Sequence, residues 1–133
     1  MCTANMIRSI MAESILRKLR PEIEVFSCGI LAIDGLKPKK ETIVVLDEKK
    51  YNPTINLSKS INNCVFDSTL IICMTKLHKK ELKVRLPDSE IYTLKELNSR
   101  KEEDIIDPVN LGIEAYRKTL NDIEKEIISY FCG

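Results

Sequence analysis

Cys2 and Arg8 stand with five residues between them in the opening stretch Met1-Cys2-Thr3-Ala4-Asn5-Met6-Ile7-Arg8-Ser9. A thiol and a guanidinium at that spacing suit one chemistry, attack on a phosphate monoester. The residues after the loop read as a helix, so backbone N–H groups of the loop and first turn can converge on an anion. The positive field at that end favours the thiolate, the nucleophilic form of cysteine. Arg8 offers a planar fork that grips two phosphate oxygens, and grips harder as charge shifts in the transition state. The intermediate of such a reaction is a phosphocysteine. Asn5 and Ser9 are placed to hydrogen-bond the loop and the sulfur, and Thr3, Ala4, Met6 and Ile7 complete the expected phosphate-binding lining. By itself the Cys-x5-Arg spacing has low specificity, because short motifs arise by chance.

Hydrolysis also needs an acid to protonate the leaving oxygen. Asp107, followed by Pro108 in a polar stretch before the last helical pattern, is the first choice, since proline stiffens the turn that aims the carboxylate. Asp104 is the second. His78 lies among Lys76, Lys79 and Lys80 and reads as half-solvated, with a supporting role near the loop as the weaker reading. The clusters around Lys37 and Lys76 read as solvated faces.

These residues must be held by a scaffold. Residues 9–19 carry apolar side chains at helical spacing, with Pro21 just beyond. Residues 24–28 read as a strand stopped by Gly29. A helix is expected from near Pro38 to about Lys50, then a break at Asn52 and Pro53 and a short helical turn from Ser58. Residues 69–74 form a continuous apolar run, expected as a strand buried on both faces. A basic helix over 76–86, a short strand over 90–93 and a polar loop over 102–110 follow. The last helix, 112–131, carries Ile113, Tyr116, Leu120, Ile123, Ile127 and Tyr130 on one stripe. Strands separated by helices imply an α/β fold in three layers, a short parallel sheet with helices on both faces, as a single domain over 1–133. Such folds place their sites at the carboxyl ends of the strands.

With 133 residues, 44% hydrophobic and 31% charged, and a net charge of +1, the chain lacks the basic excess of a general nucleic-acid binder. No apolar stretch is long enough to span a bilayer and no secretory signal is visible, so the expectation is a cytoplasmic protein with no membrane partner, acting as a monomer. Five cysteines, an odd number with no zinc-ligand spacing, are expected as reduced thiols, with Cys28 and Cys73 as small buried hydrophobes.

The same residues resemble the low-molecular-weight protein tyrosine phosphatases. The resemblance is carried by Cys2-Thr3-Ala4-Asn5-Met6-Ile7-Arg8-Ser9, by Met11-Ala12-Glu13, and by Asp107-Pro108. Ser27-Cys28-Gly29, Cys73-Met74-Thr75 with His78, Tyr92-Thr93-Leu94-Lys95-Glu96 and Ile113-Glu114-Ala115-Tyr116-Arg117-Lys118-Thr119 extend it, in order, along nearly the whole chain. It implies Cys2 as nucleophile, Arg8 as phosphate clamp and Asp107 as general acid, a phosphorylated protein as substrate, and no metal or organic cofactor. Phosphotyrosine is placed first, on Met6. Phosphoarginine is second, because the 75–79 and 93–96 segments look closest to the bacterial arginine phosphatases, which carry threonine where Met6 stands.

The chain departs from the family at several points. Ala4 stands where the family has glycine, so its Cβ is expected to strain the loop. Ile7 replaces a second cysteine that can form a protective disulfide with the nucleophile, and Val109 replaces an aromatic residue expected to wall the substrate ring. The family enters its loop from a buried strand, whereas only Met1 precedes Cys2; the sheet is therefore expected to lack its first strand, and the sequence as given to fold weakly. Two rivals share the scaffold. A thiol-relay arsenate reductase would use Cys73 but lacks a second cysteine over 75–86, and an inert module would bind phosphate without turnover.

Overall fold

The computed structural model describes residues 1–52, 57–64 and 70–133. Helix α1, Arg8–Leu19, starts where the loop ends and buries Ile10, Met11, Ile15 and Leu16. Full burial of each such side chain contributes roughly 1.5–3 kcal/mol. It stops at Arg20, whose N–H donates to the Leu16 carbonyl at 2.8 Å, since Pro21 offers no N–H to continue.

Helix α2, Lys40–Glu48, opens two residues later than Pro38 and closes before Lys50. The shortening has a backbone cause. Lys50 takes a left-handed conformation (φ 62°), and the Tyr51 N–H turns back to the Leu46 carbonyl at 3.0 Å. The turn expected from Ser58 is a 3-10 turn, Ile61–Asn63. Pro53 and Thr69 lie outside the described residues.

Strand β1, Leu70–Cys73, pairs in parallel with β2, Glu90–Thr93, joined by α3, Lys76–Arg85. Helix α4, Ile113–Phe131, begins after Gly112 (φ 89°) and buries Tyr116, Leu120, Ile123 and Ile127. Tyr130 leaves the expected stripe: it is 46% exposed and meets Phe131 edge-on. Two apolar clusters flank the sheet. One joins α1, α2 and α4 with Met74 and Leu94; the other sets Leu82 of α3 against Ile71, Cys73, Ile91, Cys28 and Ile61. Helices therefore cover both faces of a parallel sheet, as the pattern of elements implied.

Among the described residues the sheet continues beyond β1 only as single contacts. Met1 donates its amino group to the Ile72 carbonyl and accepts from the Met74 N–H at 3.2 Å. Cys2 bridges Gly29 in parallel, and Gly29 bridges Ser60. Residues 24–28 do not form the expected strand. A strand exists only where a neighbour completes its hydrogen-bond ladder, and here the Cys28 carbonyl alone meets the stub, accepting from Cys2 N–H at 3.4 Å. Between this segment, β1, α1 and α4 lies a cavity of about 540 Å³, lined by Ala12, Leu16, Val25, Phe26, Ile72 and Ile127 among others. The same opening corrects the expected two-sided burial of β1, whose Leu70 is 39% exposed and whose Ile72 is half-buried. The cavity does not reach Cys2, Arg8 or Asp107.

Candidate active site

The loop from Cys2 to Ser9 sits at the carboxyl end of the stub and leads into α1. Its carbonyls face the protein. Cys2 O accepts from Ile30 N–H (3.0 Å), Thr3 O from Leu31 N–H (2.9 Å), Met6 O from Lys39 N–H (3.1 Å) and from the Thr42 hydroxyl (3.2 Å), and Ile7 O from Met11 N–H (3.0 Å). The N–H groups of residues 3–9 have no acceptor among the described residues. Carbonyls turned away and amides left free make a cradle for an anion, extended by the N-terminus of α1.

Asn5 sets the curvature. It is buried and left-handed, at φ 56°, a conformation asparagine tolerates better than most residues. Its Nδ2 donates to Ser9 Oγ (2.8 Å) and Ser27 Oγ (2.9 Å), and its Oδ1 accepts from Lys59 N–H (2.9 Å). Ala4 is exposed and takes no positive φ, so the strain expected of its Cβ does not arise; the left-handed position is Asn5. Gly29 is the glycine the loop requires. A Cβ there would stand 2.6 Å from the Thr3 carbonyl oxygen and 2.9 Å from Asn5 N.

Cys2 Sγ lies 3.0 Å from Ser9 Oγ. Because Ser9 already accepts from Asn5, its own proton is free to donate to sulfur. Cys28 and Cys73 are fitted for packing. Burial, with the Cys64 thiol beside it, pushes Cys28 up to about 12, and burial pushes Cys73 up to about 11. Cys73, fully buried in β1, is thereby withheld from relay chemistry.

Arg8 is buried and aimed across the molecule. Its Nη1 donates to the Ile105 carbonyl at 2.9 Å and its Nη2 reaches Asp107 Oδ2 at 3.5 Å. The 102–110 stretch, read as polar, hides two buried residues, Ile105 and Pro108, and the Ile105 N–H donates to Met74 O (2.9 Å). That anchor delivers Asp107, whose Oδ1 accepts from Val109 N–H at 3.1 Å. Asp104 is engaged elsewhere, accepting from Lys76 N–H (2.8 Å) at the start of α3. Of the two acids, only Asp107 meets Arg8. Met6 and Thr3 are half-buried, and Ile7 is buried as the residue preceding α1.

His78 is buried rather than half-solvated: 7% exposed, with Nε2 at 2.9 Å from Thr3 Oγ1. Thr75 holds it there by accepting from its N–H (3.1 Å) as the cap of α3. Burial first, then the positive charges of Arg8 and the amino terminus, hold its imidazole down to about 4. Its spacing from Thr75, a helix cap followed three residues later by the capped N–H, was the available signal.

The profile of the low molecular weight phosphotyrosine protein phosphatases matches residues 1–132. The chain belongs to that family. It is 34% identical over 124 residues to the low molecular weight protein-tyrosine-phosphatase PtpB of Staphylococcus haemolyticus, covering 92% of this chain and 88% of the relative. The YwlE arginine phosphatase from Geobacillus stearothermophilus superposes with a TM-score of 0.88 at 32% identity, covering 95% of this chain and 84% of that one. A cysteine-to-serine mutant of YwlE with a phosphorylated active-site serine superposes with a TM-score of 0.86 at 25% identity, covering 95% and 87%. Family membership makes this chain a phosphatase-type hydrolase, and the relatives are named for protein substrates.

Proposed function

We propose that the chain dephosphorylates proteins through a phosphocysteine at Cys2. The observation that carries this reading is the loop in which every tied carbonyl faces the protein while the N–H groups of residues 3–9 stay free. A phosphoryl group cradled there has the sulfur behind it for in-line attack, and Arg8 to share two oxygens. As the ester bond breaks, Asp107 gives its proton to the leaving oxygen. The same carboxyl then accepts a proton from the water that releases phosphate from sulfur, returning Cys2 to its starting form.

Phosphotyrosine is the first substrate class and phosphoarginine the second. Both occur among the named relatives. Met6 favours the first: a half-buried thioether at the loop rim offers an apolar contact to a ring. Val109, 36% exposed, contributes a smaller wall than an aromatic would. Parallel assays of phosphotyrosine and phosphoarginine peptides, with Cys2→Ser as control, test the reading. Turnover of the tyrosine peptide that vanishes in Cys2→Ser is expected. Phosphopeptide binding without turnover in the unmutated protein would replace the enzyme by a binding module.

A further inference from the structure

The mechanism makes no use of His78, although it is buried against the loop. Its imidazole touches the protein at one nitrogen. Nε2 meets Thr3 Oγ1 at 2.9 Å, while Nδ1 is buried with no partner among the described residues. A neutral imidazole carries one N–H. An unpaired buried N–H is costlier and rarer than an unpaired acceptor, so the proton belongs on Nε2, donated to Thr3 Oγ1. The hydroxyl proton of Thr3 is then free, and the side chain next to the nucleophile is fixed from the first turn of α3.

We propose that His78 is a positioning residue: it holds Thr3, and through Thr3 the nucleophile end of the phosphate loop, in the anion-binding shape. Asn5 fastens the middle of the loop to Ser27 and Lys59, and Lys39 and Thr42 fasten Met6. At Thr3 the backbone is tied by Leu31, and among the described residues the side chain is tied by His78. The ring serves as a neutral donor, being held down to about 4 by burial and by Arg8. Asp104 and Asp107 oppose that shift more weakly.

The inference rests on the phosphatase reading for what the loop binds, but its test does not need turnover. His78 is the only histidine, so its ring nitrogens are unambiguous in a 15N-labelled sample of the full chain. Between about pH 5.5 and 7.5 the spectrum should show the neutral Nε2–H tautomer, and Thr3→Val should move the Nε2 resonance. Titration with inorganic phosphate should show His78→Leu and Thr3→Val each weakening binding roughly three- to tenfold. The double variant should be no weaker than the worse single one, and His78→Gln, which keeps an N–H donor, should recover most of the loss. An Nδ1–H tautomer, a ring indifferent to Thr3→Val, or losses that multiply in the double variant would overturn the proposal. Where His78→Leu fails to fold, Thr3→Val carries the comparison alone. A protein that keeps the ring signature and the phosphate coupling but hydrolyses no p-nitrophenyl phosphate overturns the phosphatase reading and leaves this one standing.

Discussion

Arg8 Nη2 stands 3.5 Å from Asp107 Oδ2, although 99 positions of sequence separate them. The same guanidinium donates to the Ile105 carbonyl, so the residue proposed to grip phosphate also orders the loop that carries the proposed acid. Asp107→Asn should therefore lower kcat by about 10²- to 10⁴-fold for esters with poor leaving groups. For p-nitrophenyl phosphate, whose leaving group needs less help, the loss should be much smaller. Steady-state kinetics on a phenyl and a nitrophenyl ester measure both; equal losses would argue that Asp107 only positions Arg8.

Asn5 should be the most costly loop residue to replace. Asn5→Ala removes the acceptor of Lys59 N–H and two donors. It also leaves a Cβ-bearing residue in the left-handed region, itself worth about 1–2 kcal/mol. The expected destabilisation is about 2–4 kcal/mol. Asn5→Gly should cost about 1 kcal/mol less, because glycine takes that conformation freely. Urea unfolding of the two variants checks the difference.

The candidate loop was readable in advance because Cys2, Asn5, Arg8 and Ser9 fall within one short stretch that enters a helix directly. Asp107 was readable through Pro108, and α4 through its stripe as far as Ile127. The solvation of His78 was misread, since its imidazole meets Thr3, 75 residues away, and Thr75 signals only where the helix starts, not that partner. Residues 24–28 have strand-forming side chains, yet side chains favour an extended chain without supplying the neighbour that makes it a strand. The strained backbone position expected at Ala4 was misplaced by one residue: the left-handed turn falls at Asn5, a residue type that tolerates it.

Acid should weaken the fold through His78. Its pKa is 6.5 in the reference state and about 4 when folded, so between those values the unfolded chain binds the extra proton. The contribution of the neutral ring is complete above about pH 6.5 and is lost as pH falls towards 4. The total is roughly 3 kcal/mol. His78→Phe should flatten this part of the stability profile, measured by urea unfolding at stepped pH. An unchanged slope would place the acid sensitivity in the carboxylates instead.

The cavity between α1, residues 23–28, β1 and α4 should accept an added strand. Extending the chain before Met1 by about five apolar β-branched residues would run them between the Val25 and Ile72 backbones. The Tm is expected to rise by at least about 5 °C, and phosphate affinity with it, because the stub that carries Cys2 becomes part of a ladder. A Gly/Ser extension of equal length should change neither. Equal behaviour of the two extensions in a thermal melt would show that the cavity does not take a strand.

Acid-quenching the reaction with a phosphorylated substrate and mapping the phosphoryl group by peptide mass spectrometry is the most direct trial of the whole account. The phosphoryl group should appear on the peptide that holds Cys2 and on no other cysteine, and turnover should vanish in Cys2→Ser. Full turnover by Cys2→Ser, or a phosphoryl group on Cys28, Cys64, Cys73 or Cys132, would contradict it.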